Sequence, residues 1–312
     1  MLAPMPSTAP RDAGASPPDY DSPLALKALL HAEGLAMSKR FGQNFLVNRN
    51  SRERVLAELK AGSGMRVWEI GPGAGAMTSL ALESGLAVTA FEIDHGFSRL
   101  LLRLFGENQA FKLVEGDFLD TWKAELEASG APDRIFGNLP YNAANAIVAS
   151  LIEGELVPPR MIFTVQKEAG LRMTAVPGTK DYSAFSVLCT SACRAKLAFD
   201  LGSSSFWPAP RVTSTVVRME PRREPVAADD RAGFSTFVRA LFSSRRKTLR
   251  NNFRAAAPAL SAVLGRGEGF PPETLGGILA SLGIRDDVRA EALRPEELAA
   301  VFSALKGSRP PL

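Results

Sequence analysis

Cysteine is scarce in this sequence, with two residues among 312. This scarcity argues against a disulfide framework of the kind found in small secreted proteins and fits a reducing cytosol. Cys189 and Cys193 have no neighbouring histidine or second cysteine pair. We therefore predict two small core residues and no metal site.

Two kinds of targeting segment are also missing. No run of about 18 uncharged apolar residues occurs, which argues against a membrane span. The N-terminus has no basic region followed by an apolar run, which argues against a signal peptide. We expect a cytoplasmic protein with no membrane partner.

Net charge is low, at +4, but it is unevenly distributed. Between Arg222 and Arg254 there are nine Lys and Arg residues and three acidic ones, so this stretch carries +6 and the remainder about −2. A local basic block on a nearly neutral body indicates contact with a polyanion such as a nucleic acid. A solvated helix face is the alternative.

Strand-like and helix-like segments alternate from residue 65 onward. The predicted strands cover residues 65–70, 87–94, 111–117, 134–138, 160–165, 194–201 and 214–220. Predicted helices between the first of them cover residues 76–85, 97–105 and 143–153. This alternation predicts an α/β fold in which helices cover both faces of a mostly parallel, seven-stranded Rossmann-like sheet.

Composition divides the chain into three regions. Residues 1–23 contain six prolines, which predicts a disordered leader over residues 1–21. Residues 22–221 hold the strand patterns and form the predicted catalytic domain. After Pro221 the strand patterns end, and helical patterns at 234–242, 247–257 and 295–305 predict a small all-helical domain over residues 222–312.

A glycine-rich turn follows the first predicted strand. The segment EIGPGAG, residues 69–75, leads into a helix, and Gly71 and Gly73 allow the backbone to pass close to a ligand. Glu92 ends the second predicted strand and can hold two ribose hydroxyls. Asp117 ends the third and can accept from an adenine amino group. Because ligands bind beyond the carboxyl ends of such strands, a nucleoside site is predicted there.

Pro72 distinguishes between two nucleoside cofactors. A dinucleotide needs glycines spaced as G-x-G-x-x-G and free N–H groups for its pyrophosphate. The spacing here is G-P-G-x-G, and Pro72 lacks an N–H. S-adenosyl-L-methionine carries no phosphate and tolerates that loss, so we favour it. The alternative is that the glycines only allow a tight turn between the strand and the helix that follows it.

The segment FGNLPYN, residues 136–142, contains no His, Cys, Asp, Glu or Lys. It therefore offers no side-chain general base, activated nucleophile or metal ligand of the usual kinds. It lies where the fourth predicted strand ends. It is either a plain turn or an active site that requires neither an acid nor a base.

Several motifs occur together and in order. They are KRFGQNFLVN (39–48), EIGPGAGAMT, FEID, GDF, GNLPYN, QKEAGLRM (166–173), FWPAPRVTSTVVR (206–218) and SSRRKTLRNNF (243–253). On these residues the chain resembles the small-subunit ribosomal RNA adenine N6-dimethyltransferases. The resemblance covers about residues 22–305 and leaves out the proline-rich leader.

The resemblance implies a catalytic role for the segment that lacks an acid or base. The side-chain oxygen of Asn138 and the backbone carbonyl of either Leu139 or Pro140 would accept from the two N–H groups of the target adenine amine. Tyr141 would stack on the extruded base, and Phe206 would cover its other face.

The resemblance also implies contacts with the cofactor and with RNA. The implied cofactor contacts are Asn44, Leu46, Gly71, Gly73, Glu92, Asp117, Phe118 and Asn138. The implied RNA-phosphate contacts are Arg245, Arg246, Lys247 and Arg250. Phe118 would pack on the adenine of the cofactor.

The function implied is methyl transfer from S-adenosyl-L-methionine to N6 of two adjacent adenines near the 3′ end of small-subunit ribosomal RNA. The products would be N6,N6-dimethyladenosine and S-adenosyl-L-homocysteine. The protein would act as a monomer during ribosome assembly. Two alternatives remain: a methylase of large-subunit RNA, and an RNA-binding assembly factor whose catalysis is dispensable.

The chain departs from the family pattern at three places. The chain has Ser183-Ala184 where many relatives have Gly-Arg, Ala209 where proline is frequent, and Thr213 where aspartate is common. All three lie in or near the predicted substrate loops. They bear on RNA contact and leave the predicted methyl-transfer site intact.

Overall fold

A computed structural model describes residues 16–35, 44–265 and 272–307 of the chain. In these ranges its strands are β1 Phe45–Leu46, β2 Arg66–Ile70, β3 Ala87–Glu92, β4 Phe111–Glu115, β5 Arg134–Asn138, β6 Met161–Gln166, β7 Cys193–Leu201, β8 Phe206–Trp207 and β9 Ser214–Pro221. All seven predicted strands are present, with ends shifted by at most two residues.

Seven strands form the central sheet, in the order β4-β3-β2-β5-β6-β9-β7. The first five are parallel, whereas β9 runs antiparallel to both β6 and β7. The chain moves outward from β2 through β3 to β4 and then returns to place β5 on the other side of β2. This reversal opens a crevice at the carboxyl ends of β2 and β5, where ligands of such sheets bind.

The helices cover the sheet and form the C-terminal region. They are α1 Pro23–Ala32, α2 Arg49–Glu58, α3 Ala76–Glu83, α4 His95–Phe105, α5 Phe118–Ser129, α6 Ala144–Glu153, α7 Lys167–Thr174, α8 Ala184–Ala192, α9 Arg231–Leu241, α10 Leu249–Val263, α11 Pro272–Ser281 and α12 Pro295–Gly307. Every predicted helix is found. The sequence patterns did not reveal α2, α5, α7, α8 and α11 or the two short strands β1 and β8.

Polar residues at the strand ends also begin the next helices. Asp94 accepts from the N–H groups of Gly96 and Phe97 at the start of α4. Asp117 accepts from the N–H of Leu119 at the start of α5. Such caps satisfy backbone donors that a helix leaves unpaired in its first turn. They also fix the carboxyl ends of β3 and β4.

Cys189 and Cys193 are free and buried, as the prediction of two small core residues requires. Helices α9 to α12 share a hydrophobic cluster with Tyr182 and Val187, which precede Pro221 in the chain. The domain boundary at residue 221 remains a prediction, since this cluster includes residues from both sides of it.

Packing begins before the predicted boundary at residue 22. Tyr20 lies in the segment predicted to be a leader, yet only 5% of its surface is exposed. Asp21 forms an ion pair with Arg52 of α2. Residues 1–15, which make up most of the predicted leader, lie outside the described ranges.

Candidate active site

A pocket of about 270 Å³ lies over the carboxyl ends of β2, β3, β4 and β5. Eleven residues singled out in the sequence line it. They are Asn44, Leu46, Gly71, Gly73, Glu92, Asp117, Phe118, Asn138, Leu139, Pro140 and Tyr141. Parallel strands bring their carboxyl ends to one edge of the sheet, which explains why residues distant in sequence meet here.

The glycine turn approaches the strand end of β5 closely. Gly71 has φ +71° and Gly73 has φ +56°, which are left-handed conformations that favour glycine. A Cβ on Gly71 would lie 3.9 Å from the backbone oxygen of Asn138. The N–H of Gly73 donates to Oε2 of Glu92 over 2.9 Å. The turn and the acid at the end of β3 therefore form one unit.

Glu92 is 5% exposed, and both of its carboxyl oxygens accept a backbone hydrogen bond. Oε2 accepts from Gly73, and Oε1 accepts from the N–H of Asp94 over 2.9 Å. Burial raises the pKa of Glu92 to about 6, while these hydrogen bonds oppose the rise. At neutral pH the group is a carboxylate and can accept further hydrogen bonds from a ligand.

Glu69 is a second buried acid that lines the pocket and was not among the predicted site residues. It is 2% exposed and accepts from the hydroxyl of Thr78 over 2.6 Å. Burial raises the pKa of Glu69 to about 8, Thr78 lowers it, and Glu92 raises it. An acid between the apolar residues Trp68 and Ile70 of a strand was the signal that could have identified it.

Asn138 is held in one orientation by the segment before β1. Its Nδ2 donates to the backbone carbonyl of Asn44 over 2.6 Å. Because a carbonyl can only accept a hydrogen bond, Nδ2 of Asn138 must be the atom that faces Asn44. Oδ1 of Asn138 therefore points away from the Asn44 carbonyl. Oδ1 accepts no hydrogen bond from the part of the chain that the structure describes.

The two backbone carbonyls after Asn138 differ in their partners. The carbonyl of Pro140 accepts from the N–H groups of Ala143 and Ala144, each over 3.0 Å, at the start of α6. No hydrogen bond reaches the carbonyl of Leu139 from within the described ranges. The N–H of Leu139 donates to Thr164 over 3.0 Å, which ties the loop to β6.

Tyr141 lines the pocket, but Phe206 does not. Tyr141 is half-buried, and its hydroxyl lies 2.8 Å from Oγ of Ser214. Phe206 is 4% exposed and packs in the core with Leu46, which it faces across the β1–β8 pair. Successive residues of a strand point to opposite sides, so β8 turns Phe206 into the core. The expected stacking position of Phe206 is therefore not found in this structure.

Two apolar residues of the pocket, Phe118 and Ile93, differ in how much of the side chain is exposed. Phe118 borders the pocket, but its ring is 5% exposed and lies between the rings of Phe91 and Trp122, at 5.0 and 6.3 Å. Ile93, which sequence reasoning missed, lines the pocket and is 41% exposed. An apolar residue immediately after the acid that ends a strand was the available signal.

The four basic residues of the predicted RNA contact fall into two pairs. Arg245 bonds to Glu291 over 2.8 Å and to the carbonyl of Lys180 over 2.7 Å. Arg250 bonds to Asp286 over 2.7 Å. Arg246 and Lys247 are exposed and have no ion-pair partner within the described ranges. They precede α10, whose first turn is capped by Thr248.

Ser183, one of the departures from the family pattern, has a structural role. Its side chain accepts from the N–H of Ser186, and Ser186 in turn accepts from the N–H of Ser183, which forms a capping box at the start of α8. The adjacent Tyr182 is buried and donates to the carbonyl of Leu293 over 2.9 Å. The serine thus begins a helix, and Ala184, at the position of the family arginine, is the first residue of that helix.

The described ranges contain neither a metal-binding cluster nor a membrane-spanning helix. Residues 16–35, 44–265 and 272–307 contain no cluster of three or more His, Cys, Asp or Glu side chains that could hold a metal ion. Among the helices described, none combines the length and apolar character needed to cross a bilayer.

The fold is shared with solved structures. A dimethyladenosine transferase from Plasmodium falciparum superposes with a TM-score of 0.65 and 22% identity, over 81% of this chain and 94% of that one. The 23S rRNA methyltransferase ErmE superposes with a TM-score of 0.57 and 21% identity, over 84% and 99%. At these identities the similarities define a fold alone, a Rossmann-like α/β sheet covered by helices.

Sequence comparison places the chain in a family. Residues 34–262 match the family model described as ribosomal RNA adenine dimethylase. A Treponema denticola protein named Ribosomal RNA small subunit methyltransferase A is 45% identical over 280 residues, which are 89% of this chain and 92% of the relative. A Borreliella afzelii protein of the same name is 40% identical over 233 residues, 75% and 81%. This chain belongs to the ribosomal RNA adenine dimethylase family.

Proposed function

We propose that this protein transfers methyl groups from S-adenosyl-L-methionine to N6 of two adjacent adenines near the 3′ end of small-subunit ribosomal RNA. One observation carries the proposal: Asn138 and Leu139 line one pocket together with Tyr141, and neither Oδ1 of Asn138 nor the carbonyl of Leu139 has a hydrogen-bond partner in the described ranges. Family membership and the names of the relatives support it.

The pocket fits S-adenosyl-L-methionine better than a dinucleotide. Pro72 leaves the glycine turn one N–H short of a phosphate cradle, and the N–H of Gly73 is already bonded to Glu92. Glu92 can accept from the ribose hydroxyls, and Asp117, which also lines the pocket, can accept from an adenine amino group. The exposed side chain of Ile93 provides an apolar contact for the adenine ring.

The reaction requires positioning more than proton transfer. When bound, the cofactor supplies a methyl group on a sulfonium, which is already activated. The amine of adenine is a poor nucleophile because its lone pair is delocalised into the ring. Two acceptors on its N–H groups favour a tetrahedral nitrogen, and Tyr141 holds the base by stacking. The proton can then leave to water, so no side-chain base is needed.

We propose Leu139 and not Pro140 as the backbone acceptor. The Pro140 carbonyl already accepts from two N–H groups at the start of α6, so a third would compete with the helix. The Leu139 carbonyl has no such competitor, and its own N–H is fixed to Thr164. Asn138 and Leu139 would then offer two acceptors from adjacent residues.

Affinity for S-adenosyl-L-methionine is expected to fall in acid. The pKa of Glu92 is raised to about 6 by burial, and the ribose hydroxyls need its carboxylate form. Protons therefore compete with the cofactor: the dissociation constant should be flat above about pH 7 and rise about tenfold for each pH unit below about pH 5.5. Isothermal titration calorimetry between about pH 5 and pH 8 measures this dependence.

Salt dependence tests the RNA contact. Arg246 and Lys247 are exposed and have no ion-pair partner in the described ranges. Replacing both with alanine should make the dependence of the RNA association constant on salt less steep. The slope of log K against log salt concentration should decrease in magnitude by about 1.4 to 2. Arg245 and Arg250 are poorer probes, because they hold Glu291 and Asp286.

The matched control for this experiment is Lys27→Ala with Arg99→Ala. These exposed residues on α1 and α4 carry the same total charge. Their loss should leave the slope nearly unchanged. If both double variants change the slope equally, the effect is one of net charge, and the block is only a solvated helix surface.

A labelled-donor assay tests the whole proposal. Immature small ribosomal subunits incubated with the protein and labelled S-adenosyl-L-methionine should yield N6,N6-dimethyladenosine on nucleoside analysis. Labelling of large-subunit RNA instead would favour the first alternative function. Binding of small subunits by a cofactor-bound protein without any methylation would favour an assembly factor. We expect a cytoplasmic protein, since assembling small subunits are the proposed partner. We also expect it to act as a monomer.

A further inference from the structure

The N-terminal segment around Tyr20 contacts the glycine turn of the cofactor pocket. The hydroxyl of Tyr20 donates to the carbonyl of Ala74 over 2.8 Å, and the side chain is 5% exposed. Gly75 follows with φ +87°, and a Cβ placed there would lie 3.1 Å from the same hydroxyl. Tyr20 therefore packs directly against the end of the turn and is not among the residues that line the pocket.

Arg52 of α2 holds this tyrosine in place. Its guanidinium carbon lies 5.6 Å from the centre of the Tyr20 ring, and Nη2 donates to Oδ1 of Asp21 over 2.7 Å. The Arg52 side chain is 6% exposed. A buried guanidinium is costly unless it is paired, so the ion pair with Asp21 fixes where residues 20 and 21 lie.

The turn has backbone hydrogen bonds, such as that from the N–H of Gly75 to the carbonyl of Pro72 over 3.0 Å, but its side chains add none. Residues 71–75 read Gly-Pro-Gly-Ala-Gly, so none of their side chains can donate or accept a hydrogen bond. Ala74 is adjacent to Gly73, whose N–H holds Glu92. A displacement of the Ala74 carbonyl would therefore move the Gly73 N–H and, through it, the carboxylate of Glu92.

We propose that Tyr20 is a positioning residue for the cofactor site, acting through Ala74 and Gly73 on Glu92. This inference rests on the proposed function, because it takes S-adenosyl-L-methionine as the ligand of the pocket. Tyr20 touches neither cofactor nor substrate. Its role is to keep the glycine turn in the conformation that the cofactor requires.

The test compares two tyrosines with the same kind of bond. Tyr20→Phe and Tyr182→Phe each remove a hydroxyl that donates to a backbone carbonyl, over 2.8 and 2.9 Å, from a buried ring. Tyr182 packs among the C-terminal helices and does not contact the turn. Loss of one such bond should give both variants a similar, small decrease in Tm.

Only Tyr20→Phe should change cofactor affinity. We expect its dissociation constant for S-adenosyl-L-methionine, measured by calorimetry, and its KM for the same donor to rise about fivefold to tenfold. Its kcat at saturating donor should stay within about twofold of the wild type, because the Asn138 loop is untouched. Tyr182→Phe should leave all three quantities unchanged.

A second variant guards against a folding defect. Asp21→Asn weakens the ion pair to Arg52 at a side chain that is 42% exposed, and we expect its dissociation constant to rise about twofold to threefold. If the wild-type protein binds the cofactor and Tyr20→Phe and Asp21→Asn bind it just as tightly, the positioning role of Tyr20 is wrong. The proposed function would stand in that case. A wild-type protein that fails to bind S-adenosyl-L-methionine would overturn the proposed function.

Discussion

Replacing Asn138 with alanine is expected to lower kcat for methyl transfer about 100- to 1,000-fold, the usual loss when one preorganised polar contact to a reacting group is removed. The alanine variant keeps the Leu139 carbonyl but lacks Oδ1, so the adenine amine would be held by one acceptor. Single-turnover methylation of small subunits with saturating donor measures the chemical step directly.

The same variant should retain most of its affinity for RNA, because the basic block lies elsewhere. Cofactor affinity should weaken only slightly, through loss of the Nδ2 bond to Asn44. Asn108→Ala is a matched control: this asparagine caps a turn before β4, at the opposite end of the strands, and should leave kcat unchanged. Equal losses of RNA binding and turnover in Asn138→Ala would argue against a catalytic role.

Replacing Glu92 with alanine should weaken the binding of S-adenosyl-L-methionine about 100-fold or more. Two hydrogen bonds from ribose hydroxyls to a carboxylate are lost, each contributing about 1.5 kcal/mol, and every 1.4 kcal/mol is a factor of ten. The N–H groups of Gly73 and Asp94 also lose their acceptor. Calorimetry with the cofactor measures the change.

Two further variants make this result specific. Glu92→Gln retains one acceptor and cannot titrate, so its weaker binding should no longer depend on pH in the acid range. Glu83→Ala removes an exposed acid from α3 that bonds to Ser79 and should bind as tightly as the wild type. If Glu92→Ala also binds normally, the acid at the end of β3 does not hold the ribose.

The order of strands and helices could be read from the sequence because it rests on local patterns. Apolar runs, glycine turns and capping residues act within about ten positions of one another, and they located all seven strands of the sheet. The elements that were missed have weaker local signals. β1 and β8 are two residues long, and α2 has few apolar side chains.

The candidate site was likewise only partly predictable. The rule that ligands bind at the carboxyl ends of parallel strands brought Glu92, Asp117 and Asn138 together without a structure. Phe206 was misplaced because a motif gives its position in the chain and not the direction of its ring. The pairing of β8 with β1 turns that ring into the core.

By itself the sequence determined the fold class, the composition of the glycine turn and the absence of an acid or base in FGNLPYN. Contacts between distant residues required the tertiary structure. Asn44 orients the amide of Asn138 from 94 positions away, and Tyr20 supports Ala74 from 54 positions away. The start of α6 occupies the Pro140 carbonyl, and this is why we propose that of Leu139 as the acceptor. Such bonds depend on how folded elements meet, which no local pattern encodes.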